Sequence, residues 1–319
     1  KRNGYTETWG KTKEEDSTYS PYGNSIADIE VSTICHKNCS WCYKSNTPNG
    51  RNMSLDTFKK LLDKILDSNK ALQQIAFGSG ATGEENLDIW KMMEYCREKE
   101  IIPNITVANI SDETADKLVK YCGAVACSRY ENKNECYDSV YKLTSRGLSQ
   151  VNIHNLICEQ SYDRTIETLN DIKTDKRLEK LNAIVMLSLK KKGRGKTGFD
   201  TLSAEKYNHI IDLCFEKKIG FGSDSCGAGK VLEAIKNRND KVELKKLITP
   251  CESTLESYFI DVNAMGYPCS FAQDTDDWKV GLDILGCNDF VKDIWNHKRN
   301  NEFRKTLLKC NRSCPLYNI

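Results

Sequence analysis

From about residue 27 to residue 225 the chain alternates short runs of β-branched and apolar residues with longer stretches whose apolar positions recur at helical spacing. Residues 28–32, 74–78, 104–108, 124–128, 150–157, 183–189 and 219–223 read as strands. Helices are expected to begin near Ser54, Asn86, Ser111, Lys133, Ser161 and Ser203, with Ser54 capping residues 55–68. Repeated right-handed βα units lay down a parallel sheet, and about six units fit either a partial barrel or an open doubly wound sheet. The pattern alone does not separate the two.

Beyond Cys226 the rhythm changes. A helical piece at 230–237, a charged stretch, a hairpin-like run at 258–271 and a last helix ending at Cys310 describe a smaller appended module. The expected organisation is an N-terminal arm at 1–24, an α/β domain at 25–225 and the appended module at 226–319.

Charge narrows the function classes. Across 319 residues, 47 Lys and Arg stand against 45 Asp and Glu, a formal +2 that leaves no basic footprint for nucleic acid. No run approaches the roughly 18 apolar residues of a spanning helix, and the polar start does not read as a signal sequence, so a cytoplasmic protein without membrane association is expected. Four histidines, with no H-E-x-x-H and no Ser-His-acid order, disfavour hydrolysis. Gly193-Arg-Gly-Lys-Thr-Gly198 matches a dinucleotide fingerprint in letters but not in context. Its Lys190, Lys191, Lys192, Arg194 and Lys196 read as a basic loop, either a solvated face or a contact for an acidic substrate.

Fifteen cysteines change the picture most. An odd count with no export signal favours reduced thiols, some of them metal ligands. Directly after the first strand stands Cys35-His-Lys-Asn-Cys39-Ser-Trp-Cys42, three cysteines in one loop at C-x3-C-x2-C spacing. Three thiolates from a tight loop can hold three irons of a cubane cluster and leave the fourth iron open. A zinc knuckle or unrelated buried thiols are the alternatives, although zinc normally takes four protein ligands.

This loop resembles the hallmark of the radical S-adenosylmethionine (SAM) superfamily, C-x3-C-x-aromatic-C after the first barrel strand, with Trp41 in the aromatic position. The resemblance implies a partial (β/α)6 TIM-like barrel and a [4Fe-4S] cluster on Cys35, Cys39 and Cys42. It further implies SAM chelated at the open iron and reductive cleavage to a 5′-deoxyadenosyl radical that abstracts a substrate hydrogen. Gly78-Ser79-Gly80, ending the second strand, is similar to the family's Gly-Gly-Glu segment for the methionine amine. Ser79 and Gly80 depart from that pattern, so the amine contact is expected from backbone carbonyls, with Glu84 as a weak substitute acid. Thr106, Asn109, Ser128, Arg129 and His154, at later strand ends, are the corresponding candidates for SAM or substrate.

In the C-terminal module, Cys251 and Cys269 flank the hairpin, and Cys310 and Cys314 follow the last helix. Two separated pairs can close a metal core in a small module. The segment 251–314 resembles the SPASM and shorter twitch extensions, which carry auxiliary iron-sulfur clusters. A full SPASM extension has about seven cysteines and two clusters, and here one auxiliary [4Fe-4S] cluster is expected on Cys251, Cys269, Cys310 and Cys314, with Cys226 as the alternative to Cys310. Zinc is the competing occupant of such a four-thiolate site. Cys287 is a weaker candidate ligand, and Cys96, Cys122, Cys127, Cys136, Cys158 and Cys214 read as small buried residues.

The resulting expectation is a radical SAM enzyme acting on a peptide or protein side chain, with a reductant such as flavodoxin or ferredoxin. Dehydrogenation or rearrangement of a small sugar-like or nucleotide substrate, and a non-catalytic iron-sulfur or zinc protein, are the rival readings.

Overall fold

In the computed structural model, which describes residues 18–317, one ten-stranded sheet organises the chain. Seven strands come from the βα repeat: β1 (Ile26–Glu30), β2 (Gln74–Gly78), β3 (Ile102–Val107), β4 (Ala124–Ser128), β5 (Val151–Ile157), β6 (Ala183–Ser188) and β7 (Phe221–Ser223). They pair in parallel, each with the next in sequence. A doubly wound sheet needs a reversal of strand order, and the unbroken order from β1 to β7 instead curls one way, as in a barrel. The ends stay open, so the barrel is partial.

Alternation along the strands explains the layers. Ala27, Ile29, Ile75, Val125, Val151, Ile153 and Ile184 are at most 1% exposed and face the helices α1 (Leu55–Ser68), α2 (Ile89–Glu98), α3 (Asp112–Tyr121), α4 (Lys133–Ser145), α5 (Tyr162–Asp171) and α6 (Ala204–Glu216). α1 shows the local logic. Ser54 Oγ accepts from Thr57 N at 3.0 Å to cap it, and Phe58, Leu61, Leu62 and Ile65 bury one stripe against the sheet. Phe58 and Phe77 rings lie 5.5 Å apart across that interface.

Several expected boundaries move: β3 begins at Ile102 rather than 104 and β7 at Phe221 rather than 219, and two further shifts have a visible cause. The first strand is Ile26–Glu30 rather than 28–32, because Val31 and Ser32 use their N–H groups on Gly78 O as the chain turns out of the sheet. The second helix starts at Ile89, not near Asn86. Asn86 is buried, and its amide donates to Val31 O and Met53 O at 2.8 Å each, work a helical residue at that position would not do.

After α7 (Ala228–Ala234) and α8 (Lys241–Lys246), the hairpin β8 (Ser257–Ile260) and β9 (Met265–Tyr267) joins the main sheet, since β8 runs parallel to β1 with Asp28 opposite Phe259. β10 (Leu282–Asp283) completes that edge. α9 (Lys298–Lys309) lies over it, with Arg304 donating to Thr254 O and Trp295 O and its guanidinium 4.4 Å above the Trp295 ring. Trp295 Nε1 donates to Ser20 O at 2.7 Å and ties in the end of the N-terminal arm. Residues 1–17 of that arm lie outside the described residues. No helix of the described residues is long and apolar enough to cross a membrane.

Phe58→Ala removes a fully buried ring from the α1–sheet interface and is expected to lower stability by about 3–5 kcal/mol. Urea unfolding checks this, and a loss under about 1 kcal/mol would contradict the packing described.

Candidate active site

The strand face opposite the helices is polar. On it, Asp28 and Glu30 from β1, Gly78 from β2, Thr106 from β3, Ser128 from β4 and His154 from β5 surround a cavity of about 390 Å³. Cys35, Cys42, Tyr43 and Lys44 from the β1–α1 loop, Ser79 and Gly80, and Phe259 from the hairpin close its mouth. The cavity thus opens at the carboxyl ends of the parallel strands, where the successive loops meet.

The three-cysteine loop has no regular structure of its own. Cys42 N donates to Cys39 O at 3.2 Å, and Cys35 N donates to Thr47 O at 3.0 Å. Its shape is imposed from the loop after β6, some 150 residues on. Arg194 N donates to Cys42 O at 3.0 Å, Arg194 Nε to Cys39 O at 2.8 Å and Nη1 to Asn46 O at 3.2 Å. The approach requires glycine on both sides: Gly193 has φ +58°, a Cβ there would sit 2.5 Å from Cys42 O, and one on Gly195 would sit 2.9 Å from Trp41 O. The Gly-Arg-Gly letters that mimic a nucleotide fingerprint form this clasp. Of the basic residues expected on a solvated face or a substrate lid, Lys190 and Lys192 are buried, paired with Asp224 and Asp274.

The thiols feel one another. Burial first, then Cys42 and Cys35, push Cys39 up to about 11, and burial raises Cys35, with Glu85 and Cys42 adding. Among the described residues no three His, Cys, Asp or Glu side chains converge on a single-ion position. A cubane instead takes one thiolate per iron corner, and the soft donors of Cys35, Cys39 and Cys42 on one loop at a cavity mouth suit that demand.

Gly80 is also held by close approach, because a Cβ there would meet the Glu85 carboxylate at 2.4 Å and Ile34 O at 2.6 Å. Ser79 Oγ donates to Glu85 Oε2 at 3.2 Å, and Thr82 N to Oε1 at 2.9 Å. The acid standing against the Gly78-Ser79-Gly80 turn is therefore Glu85, not Glu84. A signal existed, since Thr82-x-x-Glu85 has the spacing of a capping box.

Four expected site residues do not line this cavity: Cys39, whose loop neighbours Cys35 and Cys42 do, and Trp41, Arg129 and Asn109. Trp41 packs against Tyr130 and Phe199, with the Arg164 guanidinium 5.0 Å over its ring. Arg129 is buried, with Nη2 donating to Glu167 at 2.8 Å. Asn109 is exposed past the end of β3. His154 does line it, with Thr106 Oγ1 3.4 Å from Nδ1, and burial drops its imidazole to about 4 despite the opposing charge of Asp224. It is neutral at pH 7.

Comparisons with family models and with curated protein sequences gave no match. Solved structures did match. SuiB of Streptococcus suis, bound to precursor peptide SuiA, superposes with TM-score 0.70 at 15% identity over 92% of this chain and 70% of that chain. anSMEcpe with bound AdoMet and Cp18Cys peptide gives 0.66 at 15% over 92% and 87%. Methylornithine synthase (PylB) gives 0.52 at 13% over 88% and 86%. All three are radical SAM enzymes.

The chain has the radical SAM fold.

Beside this radical SAM barrel the C-terminal segment gathers a second set of thiols. Cys226, in the turn after β7, feels Cys251 and Cys269; Cys269 is pushed up to about 12 by burial, with Cys251 and Cys314 adding; Cys314 in turn feels Cys251. Arg312 fixes the frame, donating from Nε to Cys251 O at 3.0 Å while Cys251 N donates to Arg312 O at 3.1 Å. Cys310, at the end of α9, is exposed.

Glu30 and Lys44 form an ion pair at 3.0 Å in the cavity wall, but among the described residues Asp28 has no such partner, and burial pushes it up to about 6, with Glu252 adding. A folded pKa above the unfolded one means that the native state holds the extra proton between about pH 4 and 6, so this group's contribution to stability is present below pH 4 and is lost as pH rises through 6. Asp28→Asn should therefore gain on the wild type by up to about 3 kcal/mol between pH 4 and pH 7. Urea unfolding of the two proteins at both pH values checks the sign, and a pH-independent gap would contradict it.

Proposed function

We propose that this protein is a radical SAM enzyme that abstracts a hydrogen from a peptide or protein side chain. The observation that carries the reading is three thiols on one clasped loop, two of them, Cys35 and Cys42, lining a cavity built from the carboxyl ends of parallel strands. A [4Fe-4S] cluster on Cys35, Cys39 and Cys42 would supply the electron that cleaves SAM to methionine and a 5′-deoxyadenosyl radical.

The chain's own residues then have defined tasks. Gly78 and Gly80 let backbone approach the methionine end of SAM, and Glu85, bound by Ser79 and Thr82, braces that turn from behind the cavity lining. Thr106 and neutral His154 offer hydrogen bonds to ribose or substrate without a competing charge. Phe259 and the paired Lys44 and Glu30 form the wall on which a side chain can lie. The cavity of about 390 Å³ has room for a nucleoside and one inserted group rather than a whole peptide. Flavodoxin or ferredoxin is the fitting class of reductant.

Cys226, Cys251, Cys269 and Cys314 would hold one auxiliary [4Fe-4S] cluster, four soft donors fitting a closed site. Peptide chemistry is supported by SuiB and anSMEcpe, whose structures contain bound peptides.

Reconstituted anaerobically with iron and sulfide and reduced with dithionite, the protein should convert SAM to 5′-deoxyadenosine, and Cys39→Ala should abolish this while keeping its circular dichroism. Retained zinc with intact SAM in the wild type, or turnover in the variant, would overturn the assignment. Iron analysis separates the auxiliary ligands: Cys226→Ala should fall from about eight to about four irons, whereas Cys310→Ala should keep about eight.

A further inference from the structure

Arg194 does more than hold a loop. Its backbone N–H, Nε and Nη1 are all engaged by carbonyls of the three-cysteine segment, yet Nη2 is buried without any hydrogen-bond partner. A buried guanidinium nitrogen left without an acceptor is costly, and it asks what would accept from it. The charge is equally unmatched. Among the described ion pairs Lys190 meets Asp224, Lys192 meets Asp274 and the neighbouring Arg164 meets Glu131 at 3.7 Å, but Arg194 meets no carboxylate. Cys39 Sγ lies within its electrostatic reach, as it does of Glu131.

We propose that Arg194 is a positioning residue that raises the reduction potential of the cluster held by Cys35, Cys39 and Cys42, by presenting an unshared N–H and an uncompensated positive charge to the cluster sulfurs. The proposal rests on the ligand assignment above. Its physics is direct: reduction adds one negative charge, so a fixed cation and an N–H donor in a partly buried site stabilise the reduced form more than the oxidised one. No other described side chain links the barrel's basic loop to the Cys39 carbonyl.

The test is a redox titration, followed by electron paramagnetic resonance, of the reduced signal that changes when SAM is added. It is run on the full-length reconstituted wild type, Arg194→Gln and Arg194→Lys. The main-chain bond from residue 194 to Cys42 O and both flanking glycines persist in every variant, and iron content reports whether the loop survives losing the side-chain bonds to Cys39 O and Asn46 O. At the wild-type midpoint, Arg194→Gln should show about tenfold less reduced relative to oxidised cluster, a shift of about 59 mV for a one-electron couple. Arg194→Lys should recover most of it. An unchanged midpoint in Arg194→Gln at full iron content overturns the proposal. Loss of iron from the Gln but not the Lys variant also supports a charge role, and loss from both contradicts it. A wild type that binds no iron on Cys35, Cys39 and Cys42 would sink the ligand assignment itself, a separate failure.

Discussion

The constraint on which the molecule depends is that seven parallel strands, paired in sequence order, all end at one edge of one sheet. Each strand's outward face is spent on the helices, so only the inward face and the loops at the carboxyl edge are free for chemistry. The fold thereby brings short stretches between residues 28 and 270, from elements far apart in the chain, around a single cavity. Loop variation at that edge, not the barrel, decides what is bound.

The most demanding of those loops is the one with the three cysteines. A segment that must keep its thiols free cannot use regular structure to satisfy its backbone, and its carbonyls are met from elsewhere. Gly193-Arg194-Gly195 supplies backbone and guanidinium donors and the clearance for two chains to touch. The hairpin edge closes the opposite wall, with Lys44 reaching from the cysteine loop to Glu30, to the Phe259 ring and to Gln273. Barrel and C-terminal segment therefore share the cavity wall.

Strand and helix identities were legible because apolar residues fall at period two or at helical spacing, and Ser54, Ser111 and Ser203 all cap the helices expected of them. The thiol loop was legible because its spacing is local. What escaped is long-range. Nothing near Trp41, Asn109 or Arg129 says that one stacks under Arg164, one faces solvent and one is bound to Glu167. The sequence left open whether Cys226 or Cys310 stands with Cys251, Cys269 and Cys314, because that depends on where β7 ends relative to the last turn of the chain. The basic loop was legible only in part for a related reason: Lys191 and Lys196 face water as charge runs usually do, but the glycines let Arg194 fold inward, and Asp224 and the exposed Asp274 pair with the buried Lys190 and Lys192.

The central claim is that the loop of Cys35, Cys39 and Cys42 presents an open iron to SAM beside the Gly78–Gly80 turn. Electron-nuclear double resonance on the reduced protein with SAM carrying ¹⁵N in its amine reads this directly. The account predicts a nitrogen coupling on the reduced cluster, lost when any of the three cysteines is replaced. SAM bound to the reduced protein with no nitrogen coupling would contradict it.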